Sequence, residues 1–363
     1  MPDIVLFGAT GYTGRLTAHA LARRGADFAV AGRDPAKLEA LSDRIAETTD
    51  RPETLLASAG DVDGLTRALD GAKVLVTCVG PFRDHGDAAA EAALRAGVNY
   101  IDSTGESDFI ERLVTRYDRR AREAGITMAP ALGFDEVPAD SAATLATEGM
   151  ERAELVLTYA LPSVGSRGTL KSAVGISAGT GNWLEDGRPR VIRAGEATRW
   201  SPMPPPLGPK SAIGFPLAEG QLAPLHLDLS SLQTYVTVDR VLRNLTRVGA
   251  PLLRLISGST PGRRLIHAAV DLMPEGPNED QRRGRWTILA EARTDKTWRN
   301  VSISGEDVYG LTAEFLTTGA MSLSNQAEGR RSGVVSPVQA LGIDRWQKEF
   351  VDRGVVVDIY QQR

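Results

Sequence analysis

The amino-acid sequence predicts an α/β protein with two domains: a doubly wound parallel sheet at the N-terminus, then a second α/β domain built mainly on an antiparallel sheet. Three observations carry that expectation. Short apolar runs rich in β-formers alternate with helical patterns through residues 1–135, the signature of a parallel sheet covered on both faces. Glycines at every third position, Gly8, Gly11 and Gly14, follow the first of those runs and lead straight into a helical pattern. Beyond residue 135 the runs lengthen and alternate, with hairpin signals and fewer helices, as in a sheet with one wet face. The expected boundaries are therefore 1–135 for a Rossmann-type nucleotide-binding domain and 136–332 for a substrate domain. Residues 333–363 are expected to pack back on one of the two.

In order along the chain, strands are expected at Asp3–Phe7, Phe28–Ala31, Thr54–Ala57, Lys73–Cys78, Asn99–Asp102 and Ile126–Ala129. Helices are expected between them at Arg15–Arg24, Pro35–Glu47, Asp61–Leu69, Ala88–Ala96 and Asp108–Ala124. Pro35 and Asp61 mark starts, and Gly25, Gly71, Gly97 and Gly125 mark ends. Pro138–Thr147 reads as one more helix, and Ala153–Ala160, Trp286–Arg293 and Asn300–Ser304 alternate as strands do. Ser201–Lys210, "SPMPPPLGPK", is too dense in proline for either element and is a loop, either a plain connector or a lid. From Val241 to Ile256, Leu242, Leu245, Val248, Leu252, Leu253 and Ile256 recur at helical spacing. That fits an amphipathic core helix, with a helix facing membrane or lipid as the alternative. The tail Gly333–Tyr360 holds a helix pattern and then the strand-like "GVVVDIY".

Composition narrows the class. At 363 residues the chain is long enough for two cores, and 42% hydrophobic with 24% charged residues is ordinary for a globular protein. A net charge of -4 with the two signs interspersed argues against a nucleic-acid partner. No stretch reads as a signal peptide or a transmembrane segment, so a cytoplasmic location is expected. One cysteine, Cys78, excludes an internal disulfide, and His19, His85, His226 and His267 lack ligand-like spacing, so no metal site is expected. Homodimerisation is the default expectation, since closed two-fold assemblies are common.

The glycine triplet is the first chemical signal. Bare backbone after a strand permits a sharp turn and close approach of a pyrophosphate. Gly14 lets the helix pack tightly, and the helix amides face the negative charge. The spacing is G-x-x-G-x-x-G, and the strand before and helix after supply the confirming context. Gly8, Thr10, Gly11, Tyr12, Thr13 and Gly14 are thus candidate dinucleotide contacts. At the end of the second strand comes "AGRDPAK", where Arg33 and, one helical turn on, Lys37 can converge on a dianion. This favours NADP(H). Asp34 dissents: it can take a ribose hydroxyl or cap the helix that starts at Pro35. A charge-assisted contact worth about 1.5–3 kcal/mol sets cofactor preference by roughly ten- to a hundredfold.

Three further loops leave the carboxyl ends of strands, where doubly wound sheets bind ligands. "TCVGPFRDHG" places Val79, Gly80 and Pro81 near the cofactor's middle, with Cys78 as a small buried hydrophobe. "DSTGES" places Gly105 and Glu106 at the nicotinamide end, with Asp102 as a cap or loop anchor. "LGFDEVPAD" joins the two domains where a substrate cleft is expected, so Gly133, Phe134 and Asp135 are candidate lining residues, though Pro138 and the acids before it also fit ordinary helix capping.

"GATGYTG", "AGR", "VGPFRDHG", "YIDSTGE" and "GFDEVPAD", in this order and at these intervals, resemble the saccharopine dehydrogenase-like reductases, in particular their bacterial branch, which includes the trans-acting enoyl reductases of lipid biosynthesis. The resemblance continues more loosely through "GTLKSA", "PEGPNEDQRRGRW" and "GVVSPVQALG". It implies a Rossmann domain followed by an α/β substrate domain with NADP(H) between them, and substrates that are either imines of amino-acid metabolism or carbon–carbon double bonds of polyketide-derived lipids. Extended short-chain dehydrogenases share the glycine turn but require a lysine four positions after a catalytic tyrosine. None of Tyr12, Tyr100, Tyr117, Tyr159, Tyr235, Tyr309 and Tyr360 has one.

The expected function is therefore an NADPH-dependent reductase acting on a polarised C=C or C=N bond of a small-molecule or lipid-like substrate. The alternatives are a saccharopine dehydrogenase-type imine oxidoreductase and a non-catalytic NADP(H) sensor or scaffold. Hydride addition to an iminium needs no acid, whereas an enoyl acceptor needs a proton donor. Glu106, Asp135, Tyr235 and His226 are the candidates, each with a structural role as its alternative.

Overall fold

The computed structural model describes residues 2–162, 165–167, 169–172, 179–238, 274–278, 282–325 and 331–361, together with 262, 266, 268–270 and 272. The stretch Val241–Ile256, expected as a helix, lies outside the described residues. Two compact units result. The first comprises residues 1–104, 109–137 and 309–342, and the second residues 105–108, 138–308 and 343–363.

Unit 1 holds a seven-stranded, wholly parallel Rossmann-like sheet. Its strands are β1 (Ile4–Phe7), β2 (Phe28–Gly32), β3 (Glu53–Leu56), β4 (Val74–Thr77), β5 (Asn99–Asp102), β6 (Thr127–Ala129) and, from late in the chain, Gly333–Val334. The spatial order is Gly333–Val334, β6, β5, β4, β1, β2, β3. Every residue of β1, β2, β4, β5 and β6 is buried, which is why β1, β2 and β4 read as nearly continuous apolar runs; β5 buries Asn99 and Asp102 as well, and β3 lies at an edge and is partly exposed. The connecting helices are α1 (Tyr12–Arg23), α2 (Pro35–Ala46), α3 (Val62–Ala68), α4 (Phe82–Ala96), α5 (Ser107–Arg112) and α6 (Asp118–Glu123). The last two were expected as one helix, but a π-helical turn, Leu113–Tyr117, separates them. A seventh strand stands beside the six expected. Val334 donates its amide to Asp118 Oδ1 at 2.9 Å, and Gly333 takes φ +103°.

The chain runs outward from β1 to β2 and β3 on one side and then returns to β4, β5 and β6 on the other. This reversal makes the carboxyl ends of β1 and β4 a topological switch point, where open α/β sheets place their ligands. A helix that the sequence patterns did not reveal, Val308–Asn325, belongs to the same unit. Leu311, Phe315, Leu316, Ala320 and Leu323 form a broad buried face, and Thr312, Thr317 and Thr318 are buried as well.

Unit 2 follows α7 (Glu136–Thr147), which begins two residues before the expected Pro138. Its nine-stranded sheet comprises β7 (Ala153–Ala160), β8 (Thr180–Glu185), β9 (Arg188–Arg193), β10 (Thr198–Ser201), β11 (Lys210–Gly214), β12 (Leu229–Thr237), β13 (Trp286–Arg293), β14 (Trp298–Gly305) and Val356–Gln361. The path runs β10, β11, β12, β7, β13, β14, Val356–Gln361, and every pair is antiparallel except β12 with β7. Asp186 and Gly187 close the β8–β9 hairpin with φ of 51° and 72°, the left-handed pair that a two-residue turn requires. The proline-dense stretch is also a hairpin connection, because Ser201 pairs with Lys210. The tail does not act as one segment: Gly333–Val334 joins the parallel sheet and Val356–Gln361 joins β14.

Candidate nucleotide-binding site

The loop after β1 is shaped by what its glycines leave out. Gly8 takes φ +82°, and a Cβ there would lie 2.7 Å from Val79 Cγ2 on the loop after β4. Gly14 faces the Gly8 carbonyl and Ala9 Cα so closely that a Cβ would collide with that carbonyl oxygen. Gly11 sits at the N-cap of α1 in extended geometry, and no side chain caps the helix. The turn is closed by its own backbone, Gly11 N–H to the Gly8 carbonyl at 3.0 Å, and by Arg15, whose guanidinium donates to the Thr10 carbonyl at 2.7 Å. A tight main-chain cradle therefore lies at the positive end of α1, with the first-turn amides left uncapped by side chains. Thr10, Tyr12 and Thr13 are partly buried in this turn.

At the end of β2, Arg33 and Lys37 are both exposed. Asp34 accepts from the Lys37 amide at 3.2 Å and lies 3.7 Å from its Nζ, so its carboxylate caps α2, one of the two roles left open for it. After β4, Val79 and Pro81 are partly buried and Gly80 is exposed, and the Gly80–Pro81 bond is cis. Burial pushes the Cys78 thiol up to about 12, which keeps it protonated and non-nucleophilic.

The loops after β5 and β6 are tied by one buried carboxylate. Asp102 accepts from Tyr100 Oη at 2.6 Å, from the Thr104 amide at 2.9 Å and from the Ala131 amide at 2.8 Å. Ala131 there adopts a left-handed φ of 64°. Asp102 thus anchors both loops. Farther along, burial pushes the Asp135 carboxyl up from 3.8 to about 6, against the pull of its own and the Glu136 amides. Its Oδ1 occupies the space that a side chain at Gly133 would take. The neighbouring Phe134 amide donates to Thr312 Oγ1 at 3.1 Å.

Thr312 lies on the helix Val308–Asn325, and so does a residue that the sequence patterns missed. Tyr309 packs edge-on against Tyr12 of the glycine loop, with centroids 4.9 Å apart and an interplanar angle of 87°. The same helix is joined to α1 by Arg23–Glu314 at 2.9 Å and by Arg24 to Thr318 Oγ1 at 2.7 Å.

The other candidates lie in unit 2. Gly105 is partly buried, and Glu106 is buried and accepts from Ser172 Oγ at 2.6 Å. Tyr235 sits in a cluster with Trp183, Ile192 and Ala212, meets the Trp183 ring at a tilt of 47° with centroids 5.2 Å apart, lies under the Arg199 guanidinium and donates its hydroxyl to Gln233 Oε1 at 2.9 Å. Burial raises its phenol. His226 Nε2 and Asp140 Oδ1 form a close pair at 2.7 Å. Among the described residues, no group of three or more His, Cys, Asp or Glu is placed to hold a metal ion, and no helix is long and apolar enough to cross a membrane.

Comparison with known proteins adds to this geometry. Residues 4–129 match the saccharopine dehydrogenase NADP binding domain. The matched domain runs from β1 through β6 and so contains the glycine loop, Arg33 and the loop after β4. A trans-acting enoyl reductase of Mycobacterium ulcerans (strain Agy99) is 36% identical over 140 residues, covering 38% of this chain and 34% of its own length. A saccharopine dehydrogenase-like oxidoreductase of Mus musculus is 30% identical over 151 residues, covering 38% of this chain and 35% of its own. The chain thus matches about a third of the length of these relatives. Among solved structures, apo saccharopine dehydrogenase (L-Glu forming) from Saccharomyces cerevisiae aligns over 100% of both chains with a TM-score of 0.63 at 13% identity, a likeness of fold.

Proposed function

We propose that this protein is an NADPH-dependent reductase that passes hydride to a polarised bond, an enoyl-type C=C or a C=N, of a small-molecule or lipid-derived substrate. The observation that carries this reading is the cradle at the switch point: two glycines whose side-chain space is already filled by backbone or by Val79, at the uncapped positive end of α1. Only main chain can line so close an approach, and a diphosphate is the ligand that such an end accepts. The match to an NADP binding domain supports the same reading.

NADPH, when bound, supplies the hydride. The chain's own residues bind and orient it: Gly8, Thr10, Gly11, Tyr12, Thr13 and Gly14 at the diphosphate, Arg33 and Lys37 at the 2′-phosphate, Val79, Gly80 and Pro81 along its middle, and Gly105 and Phe134 toward the nicotinamide. Asp135, on the loop after β6 beside Gly133 and Phe134, is the first candidate for proton donor to an enoyl-type acceptor, since its raised carboxyl holds a proton more readily than an ordinary aspartate does. Glu106 and Tyr235 remain candidates of lower rank, because their polar atoms already serve Ser172 and Gln233.

Calorimetric titration tests the cofactor assignment. NADPH is expected to bind more tightly than NADH, and Arg33→Ala is expected to weaken NADPH by roughly ten- to a hundredfold with little change for NADH. Equal losses for both cofactors remove Arg33 from the 2′-phosphate site. Tight NADPH binding with no oxidation by any enoyl or imine acceptor would instead mark a redox sensor.

A further inference from the structure

We infer that Tyr309 is a positioning residue for the diphosphate-binding turn, acting through the ring of Tyr12; this rests on the NADP(H) reading above. Tyr12 is the first residue of α1, immediately after the Gly11 N-cap, so its backbone is part of the turn that receives the diphosphate. A tyrosine at this place has several rotamers open to it, and a ring free to swing across the amides would obstruct them. Tyr309 removes that freedom. Its own ring is buried, and it meets Tyr12 edge-on at 4.9 Å and 87°, the geometry that the charge distribution of aromatic rings prefers.

Tyr309 is itself held from several directions. Its helix is joined to α1 through Glu314 and Thr318, and to the loop after β6 through the Thr312 hydroxyl on the Phe134 amide. Two residues of one helix, Tyr309 and Thr312, therefore touch two of the segments assigned to the cofactor, and Glu314 ties the same helix to the far end of α1. Arg15 holds the far side of the same turn through the Thr10 carbonyl. No side chain caps the turn, and beyond its own Gly11-to-Gly8 backbone hydrogen bond and Arg15 it has Tyr309 as a support from another element.

The test compares two ligands on two variants. NADP+ contains the diphosphate, whereas adenosine 2′-monophosphate presents the adenosine tail and its phosphate without any bridge. In calorimetric or competition titrations, Tyr309→Ala is expected to weaken NADP+ about two- to tenfold, the range an edge-to-face pair supplies, and to leave adenosine 2′-monophosphate unchanged. Tyr309→Phe keeps the ring and is expected to bind both ligands as the native chain does. Should Tyr309→Ala fold poorly, Tyr12→Ala probes the same pair from its less buried side and is expected to show the same selective loss. Adding Tyr309→Ala to Tyr12→Ala is expected to cost nothing further. Equal weakening of both ligands, native NADP+ affinity in Tyr309→Ala, or a Tyr309→Phe defect as large as that of alanine each overturns the inference. Failure of the native chain to bind NADP+ overturns the cofactor reading itself, a separate outcome.

Discussion

At Gly14 a single methyl group has nowhere to go. Its Cβ would strike the Gly8 carbonyl oxygen, which is backbone and cannot rotate away as a flexible side chain would. Gly14→Ala is expected to cost about 1–3 kcal/mol in chemical denaturation and to abolish NADPH binding, because relief requires α1 to lift from β1. Native stability in this variant would mean that the turn is looser than its packing implies. Asp135 makes a prediction of the opposite kind. Its proton is held more tightly in the folded chain than in the unfolded one, so between about pH 4 and 6 this residue contributes stability at the acid end that fades as pH rises. Asp135→Asn is expected to flatten that slope in denaturation curves recorded across the interval, while retaining an oxygen for the two amides, and to slow enoyl reduction without changing NADPH affinity. An unchanged pH slope would place the raised proton affinity on another group.

At the level of elements, what was visible in the sequence tracks how each element is buried. The strands β1, β2 and β4 were legible because burial on both faces demands nearly unbroken apolar residues, and Gly8 and Gly14 betrayed the turn because nothing larger fits. The helix Val308–Asn325 was not legible. Buried threonines and glycines interrupt its apolar face and blur the stripe, and Gly310, Gly319, Thr312, Thr317 and Thr318 depress its intrinsic helix tendency. Tyr309 was hidden with it. The strand Gly333–Val334 left no pattern because two residues cannot alternate, and a distant carboxylate, Asp118, fixes its place. Packing, more than charge, holds the hidden helix. Gly319 faces the Leu132 side chain without room for a Cβ, whereas Arg23, partner of Glu314, is 63% exposed on its side chain. Leu132 Cδ2 is the end of a side chain that can shift, though within a fully buried setting, so Gly319→Ala is expected to cost less than Gly14→Ala, about 1 kcal/mol. Glu314→Ala is expected to cost under about 1 kcal/mol. Thermal or denaturant unfolding checks the order, and its reversal would assign the helix to its ion pairs.

For the molecule as a whole, sequence order and spatial order part company. The parallel sheet begins at residue 4 yet takes an edge strand from residues 333–334, and its unit regains the chain at Tyr309 after the whole run 138–308 has been spent on the other unit. A boundary drawn near residue 135 from the change in element rhythm takes in six of the strands and leaves this return unseen. A fragment ending at residue 137 would keep the glycine loop and Arg33 but lose the partners of Tyr12, Phe134, Leu132 and Asp118. It is expected to be aggregation-prone and to bind NADPH far more weakly than the full chain. A stable, monomeric fragment of native affinity would show that the return is dispensable.

The scattering of unit 1 along the chain also sets a timetable. On the ribosome, the N-terminal strands emerge first, but Tyr309 arrives 180 residues after Ala129, and at translation speeds of about 5–20 residues per second that delay lasts about 10–35 seconds. During the wait the N-terminal strands lack the helix and the edge strand that complete their unit, so unit 1 reaches its native packing only after residues 309–342 have emerged.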